Sequence, residues 1–177
     1  KLYDTAFPAD ERAPLDMLVD GREWNGDFRA YSLQEEPPVP DGSVTKSTFC
    51  GLAFNYVDDR FCYLFYLAVE PQMRKRGIGS AILCDIAKSY PDHSVILEME
   101  ELDPTAENYE ERLNRSRFYQ SNGLKLTAVH NTQCGVPYHV LCTDPVITLA
   151  DYSRMWHNIV RIQGYTEEDG RQWLNRI

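Results

Sequence analysis

The sequence lacks the marks of several protein classes, and each absence narrows the reading. No Cys-x-x-Cys pair occurs, and the five cysteines, Cys50, Cys62, Cys84, Cys134 and Cys142, are odd in number. Neither a zinc site nor a disulfide framework is indicated, and most of them, Cys84 included, are expected to pack as small hydrophobes rather than act as nucleophiles. The histidines His93, His130, His139 and His157 are scattered. None stands at metal-ligand spacing from another His, Cys or acid, so no metal is expected. No apolar run approaches bilayer length and no signal peptide opens the chain, which makes a reducing cytoplasm the expected compartment. Internal repeats and low-complexity stretches are missing. Positive charge is in deficit: 18 Lys and Arg stand against 27 Asp and Glu, a net charge of −9. That balance argues against wholesale binding to nucleic acid or to an anionic membrane. The acidic surface serves solubility, or it attracts cationic small molecules such as amines.

What is present suits one folded domain. The chain has 177 residues, 43% of them hydrophobic and 12% aromatic, enough for a sizeable core. Its organising stretch is 63–90. Residues 63–70, rich in aromatic and apolar side chains, predict a buried strand. Ile78, Ala81, Ile82, Ile86 and Ala87 recur at helical spacing up to the break at Tyr90 and Pro91. The joint between strand and helix is basic and glycine-rich, with Arg74, Lys75, Arg76, Gly77 and Gly79. Such a joint makes an anion site, because the first helical turn has free N–H groups, glycine lets a ligand approach the backbone, and the helix dipole favours negative charge. It is not a P-loop, since no Gly-Lys-Ser/Thr follows the four-residue spacer. Nor is it the dinucleotide fingerprint, since Ile82 stands where the third glycine belongs.

The remaining elements follow in order. Leu15, Leu18 and Val19 predict the inner face of a short helix broken near Gly21. Strands are expected at 28–33, 46–57 and 60–70, as antiparallel neighbours on a meander, with a proline-rich tip at 35–42 between the first two. A strand at 94–101 is parallel to the third by strand–helix–strand logic. A helix is expected over 105–122, with Thr105 as N-cap and Gly123 at its end. Strands at 124–130 and 138–143 flank a corner at Cys134. Thr148 and Asp151 resemble a capping box opening a helix with Leu149, Tyr152, Trp156, Ile159 and Val160 on its apolar side. Gly164 ends that helix, and 166–177 adds a short final one around Trp173.

Arg74-Lys75-Arg76-Gly77-Ile78-Gly79 fits each defined position of the Arg/Gln-x-x-Gly-x-Gly/Ala signature of the GNAT superfamily of N-acetyltransferases, and 67–71 looks like that family's central strand. A second block, 112–124, resembles the family's last core helix: Phe118, Tyr119 and Gly123 align, Leu124 replaces the usual aromatic, and Arg112 and Arg115 stand where Asn and Ala are common. With Phe7-Pro8-x-x-Glu11-Arg12 and Leu97-Glu98-Met99-Glu100, this arginine-rich variant resembles a set of bacterial GNAT proteins that mostly lack an assigned substrate. The two blocks and the strands around them cover about residues 45–143. The resemblance implies an α/β fold: a mixed, mostly antiparallel sheet with a splayed parallel central pair, flanked by helices. It implies a catalytic domain at 1–145 and a helical extension at 146–177 that covers the same domain or forms a homodimer contact. The chain opens on Lys1, so a short stretch before it, and with it a first strand, is expected.

Acetyl transfer to an amine sets the candidate roles. The resemblance implies acetyl-CoA as cofactor, its pyrophosphate held by backbone amides of Arg74, Lys75, Arg76, Gly77, Ile78, Gly79 and Ser80; the plain alternative is a solvated basic turn. It implies polarisation of the thioester by a backbone N–H near Leu67, Ala68 and Val69. Glu98 and Glu100 lie two apart on a strand and share a face, which makes them candidates for the base, directly or through water; otherwise they sit at a solvated strand end. Tyr119 is the residue the resemblance implies for protonating the departing thiolate, and the alternative is a packed core tyrosine. Trp24, Tyr31, Tyr56 and Tyr66 either line an amine pocket or pack the core. The expected acceptor is a primary amine, most simply a small cationic one. The competing reading is a catalytically weak acetyl-CoA-binding regulatory or interaction module.

Overall fold

Two strands with near-continuous apolar runs, β2 (Ser47–Val57) and β3 (Phe61–Val69), lie inside the sheet rather than at its edge, because only a strand covered on both faces can bury such a run. The computed structural model describes residues 1–9, 11–21, 25–34, 47–133 and 135–162. The proline-rich tip, Lys46, Trp24, the Cys134 corner, the stop at Gly164 and the final helix around Trp173 lie outside the described residues. The sheet has six strands, with β1 (Gly26–Gln34), β4 (Ser94–Glu100), β5 (Lys125–Gln133) and β6 (Val136–Cys142) completing the order β1-β2-β3-β4-β6-β5. Every pairing is antiparallel except β3 with β4. The meander and the parallel crossover read from the sequence are both present.

Alternation along the strands divides the core in two. On one face Phe54, Tyr56, Tyr63, Ile96 and Val140 pack under three helices, α1 (Leu2–Ala6), α2 (Leu15–Val19) and α5 (Leu149–Ile162). On the other, Ala53, Cys62, Leu64, Val95 and Leu97 pack under α3 (Ile78–Ser89), and Phe118 and Tyr119 of α4 (Tyr109–Ser121) lie against the same cluster. Helix α1 has no counterpart among the sequence expectations.

Several expectations need correction. The buried stripe of α3 is Ile78, Ile82, Leu83 and Ile86, while Ala81 and Ala87 are exposed. Cys84 is exposed too, whereas Cys50, Cys62 and Cys142 are buried. In α2 only Leu18 is buried; Leu15 and Val19 face solvent. Helix α4 starts at Tyr109 after Asn108, so Thr105 is not its N-cap; Thr105 instead closes a turn on the Asp103 carboxylate. Asp103 bonds the Thr105 amide at 2.8 Å, and that local bond competes with helix formation. The capping box of α5 is formed, Asp151 N–H donating to Thr148 Oγ1 at 3.2 Å and Thr148 N–H to Asp151 Oδ2 at 3.1 Å. Leu149, assigned to its inner side, is exposed, and Met155 is buried there instead.

Asn55 is fully buried in β2, and among the described residues neither its amide nitrogen nor its oxygen has a hydrogen-bond partner. An unpartnered buried polar group costs about 1–3 kcal/mol. Asn55→Leu, close in shape, is expected to keep the fold and raise stability by ~1 kcal/mol. The readout is a higher urea midpoint at unchanged slope.

Candidate active site

The site grows out of a break in strand pairing. β3 and β4 are joined at Phe61 with Ser94, Cys62 with Val95 and Tyr63 with Ile96, and no further. The cause lies on the opposite edge of β3. Phe54 pairs with Tyr66 but Asn55 with Leu64, so Phe65 is an extra residue in the ladder. A bulge bends its strand and sharpens the twist. It also puts Phe65 and Tyr66 against the same core, out of alternation. β3 stays on β2 as far as Val69 with Gly51, and β4 stays on β6 as far as Glu100 with Tyr138. A cleft opens between them.

Along that cleft β3 beyond Tyr63 has no strand partner on its β4 side among the described residues. Glu70 N–H donates to Cys50 O on β2 at 2.9 Å. Strand alternation then turns the amides of Val69 and Leu67 the other way, into the gap, and that of Ala68 towards β2. Arg74 Nε donates to Val69 O at 3.2 Å and ties the loop to the strand end.

The chain next makes a 3-10 turn at Pro71–Met73 and enters α3 through Lys75 at φ 60° and Gly77 at φ 78°. Both lie in the left-handed region, and Gly77 is the helix N-cap, with no side chain bonded over the first turn. The opening amides of α3 therefore face outward. A methyl group at Gly77 would have no atom of the described residues within 4 Å, so the space in front of the turn is open among them. At Gly79 it would lie 3.0 Å from Phe118 Cζ, so here glycine serves the seating of α4 on α3. Arg74, Lys75 and Arg76 are exposed around the turn. Uncapped amides, a left-handed glycine and three cations suit a diphosphate.

Phe118 brings Tyr119 with it, their rings 5.1 Å apart. The Tyr119 hydroxyl has no hydrogen-bond partner among the described residues. Burial pushes its pKa above the ordinary phenol value, with the Arg115 charge one turn earlier opposing.

Glu98 and Glu100 share the other face, as strand alternation requires, and both are engaged. Glu98 accepts from Tyr63 Oη at 3.0 Å, Trp156 Nε1 at 3.1 Å, Asn131 Nδ2 at 3.1 Å and Tyr152 Oη. Tyr63 and Tyr152 are raised well above the ordinary tyrosine range, first by burial and then by the Glu98 charge. Glu98 thus pins α5 to the sheet. Glu100 pairs with Arg112 at 2.8 Å and with Arg115. Arg112 also donates to Glu101 O at 2.9 Å, so α4 is fixed to the end of β4. Tyr138, opposite Glu100, is pushed up to about 12 by burial and by Glu11, Glu100 and Glu98. The Arg115 charge opposes them.

Sequence reasoning put Glu98 and Glu100 on one face but missed their partners. Those partners come from α4, β3, β5 and α5, too far along the chain for any local pattern to reveal. Of the aromatic candidates, Tyr31 donates to Asp85, Tyr56 is buried in the core and Tyr66 donates to Glu11 O. Core packing and local bonds account for these three.

The Tyr152 hydroxyl bond to a carboxylate implies a measurable stability term. Tyr152→Phe is expected to lower unfolding free energy by ~2 kcal/mol. The measurement is chemical denaturation followed by tryptophan fluorescence.

No protein-family model matches the chain, and no curated protein matches it in sequence. Solved structures do. A protein from Bacteroides thetaiotaomicron assigned to the GNAT family of acetyltransferases matches with a TM-score of 0.61 and 22% identity, over 92% of this chain and 87% of that one. The aminoglycoside 6'-N-acetyltransferase from Enterococcus faecium matches with a TM-score of 0.53 and 15% identity, over 83% of this chain and 89% of that one. An aminoglycoside 6'-N-acetyltransferase complexed with coenzyme A matches with the same TM-score of 0.53. The fold expected from the sequence, a mixed sheet with a splayed parallel pair and flanking helices, is the fold of these acetyltransferases.

Proposed function

We propose that this GNAT-fold chain is an N-acetyltransferase that moves an acetyl group from acetyl-CoA directly onto a primary amine of a small cationic acceptor. The observation that carries the reading is the cleft between β3 and β4, which leads from the outward-facing amides of α3. Acetyl-CoA supplies a thioester; the C–S bond breaks as the N–C bond forms. The amides from Arg74 to Ser80 hold the diphosphate, with the three cations adding charge. The N–H groups of Leu67 and Val69, aimed into the gap, stabilise negative charge on the carbonyl oxygen. Tyr119 gives its proton to the departing sulfur. The amine's proton passes to Glu98 or Glu100 through water, since both carboxylates already accept bonds from protein donors. The negative charge of Glu11 and Glu98 felt at Tyr138, with Glu100 paired to Arg112 and Arg115, supports a cationic acceptor.

That engagement of both carboxylates also favours a second reading, an acetyl-CoA-binding module with weak catalysis. Thiol release from acetyl-CoA, measured against polyamines, aminoglycosides and short peptides, separates the two. Turnover with a small polyamine or aminoglycoside supports the enzyme. Tight binding of CoA with no transfer to any amine supports the module.

A further inference from the structure

Two histidines that the sequence leaves nine residues apart become cross-strand partners: His130 on β5 pairs with His139 on β6. Their rings lie 4.9 Å apart. Glu101, at the end of β4, donates its N–H to Pro137 O of β6 at 2.9 Å and so stands beside them on the third adjacent strand. Its Oε1 is 2.7 Å from His130 Nδ1 and 3.7 Å from His139 Nδ1. One ligand atom from each of the three lies within 4.8 Å of the others. The absence of metal-ligand spacing along the chain is therefore no guide here, because sheet pairing supplies the juxtaposition.

We infer that Glu101, His130 and His139 form a binding site for a divalent transition metal of the zinc class. Two imidazole nitrogens and one carboxylate oxygen are the donor set such ions take, and three protein ligands leave a position for water. Ligand atoms bound tetrahedrally to zinc stand about 3.3 Å apart. The distances of 2.7 and 3.7 Å bracket that value, so small side-chain rotations close the site. His130 is 54% exposed and Glu101 32%, which leaves an entry path. The neutral ring is the form that ligates. On binding, the proton of each neutral ring resides on Nε2 while Nδ1 takes the metal. The ion would clasp the end of β4 to β6 and β5, one residue beyond Glu100, and it takes no part in the acetyl-transfer reading.

The test uses the full chain carrying Cys84→Ser, so that the exposed thiol does not compete. Zinc titration by calorimetry is expected to give one ion per chain, and cobalt a visible band of low-coordinate geometry. His130→Ala and His139→Ala are each expected to weaken binding at least about tenfold, while His157→Ala leaves it unchanged. A zinc-dependent rise in melting temperature should disappear with the same two variants. Circular dichroism of each variant shows whether it is folded, and Glu101→Gln provides a further ligand change that leaves both rings in place. Zinc binding that survives in the double histidine variant, or no saturable binding by the parent chain, overturns the assignment.

Discussion

Replacing Gly77 by valine is expected to weaken CoA binding by on the order of tenfold to a hundredfold, read by calorimetry, with the fold retained. Two effects add. Gly77 holds φ 78°, and a side chain there strains the turn by ~1–2 kcal/mol, more for a β-branched one. The strain is relieved by turning the Gly77 peptide, which disturbs the row of outward amides at the start of α3. The second effect is steric. A Cβ at Gly77 meets nothing among the described residues within 4 Å, so the variant side chain occupies the open space where a phosphate would come close. Arg74→Ala is the contrasting change. Its guanidinium is exposed, and an exposed charge near a helix start contributes only about 0.3–1 kcal/mol. The glycine should therefore outweigh any single arginine in this loop. Gly79→Ala tests a third thing, because its methyl meets Phe118 at 3.0 Å and acts through the seating of α4. Equal CoA affinity in wild type and Gly77→Val would remove the loop from the binding account.

Why this loop was legible in the sequence, and other parts were not, has a physical basis. An apolar strand, two glycines among basic residues and a helix with Ile78, Ile82 and Ile86 in phase are local signals, and local signals survive without a structure. Alanine carries little hydrophobic weight, so Ala81 and Ala87 misled the phase while Leu83, next to Ile82, is buried. Helix α4 offers less still. Its sequence Tyr109–Ser121 is mostly polar and charged, and without an apolar stripe its start could not be placed against Thr105. Alternation correctly put Glu98 with Glu100, but the Tyr152 and Trp156 donors lie 54 and 58 residues away. The bulge at Phe65, which opens the cleft, leaves no mark in a strand that is apolar throughout. What the chain hides is long-range pairing, and both the cleft and the Glu101–His130–His139 cluster arise from it.

Tyr119→Phe is expected to lower kcat by on the order of a hundredfold to ten-thousandfold while leaving CoA affinity and melting temperature near wild type. The separation follows from where the ring sits. Its apolar body packs against the core beside Phe118, and phenylalanine preserves that packing. The hydroxyl has no partner among the described residues, so removing it strands no buried donor or acceptor. A structural tyrosine would reveal itself in stability, whereas this one should reveal itself only in turnover. Its pKa, raised by burial, keeps the phenol protonated at neutral pH, the form that donates. Donation to a thiolate of ordinary pKa about 8.5 would be uphill even from an unperturbed phenol near 10, and further uphill from one raised by burial. A thiolate forming beside the buried Tyr119 ring would be destabilised by the same loss of solvent, which narrows the gap, and the Arg115 charge eases loss of the phenol proton. Steady-state rates with the best acceptor from the amine panel decide the matter. A kcat within about threefold of wild type would show that the sulfur takes its proton from water or from another group, and Tyr119 would return to the core as a packing residue.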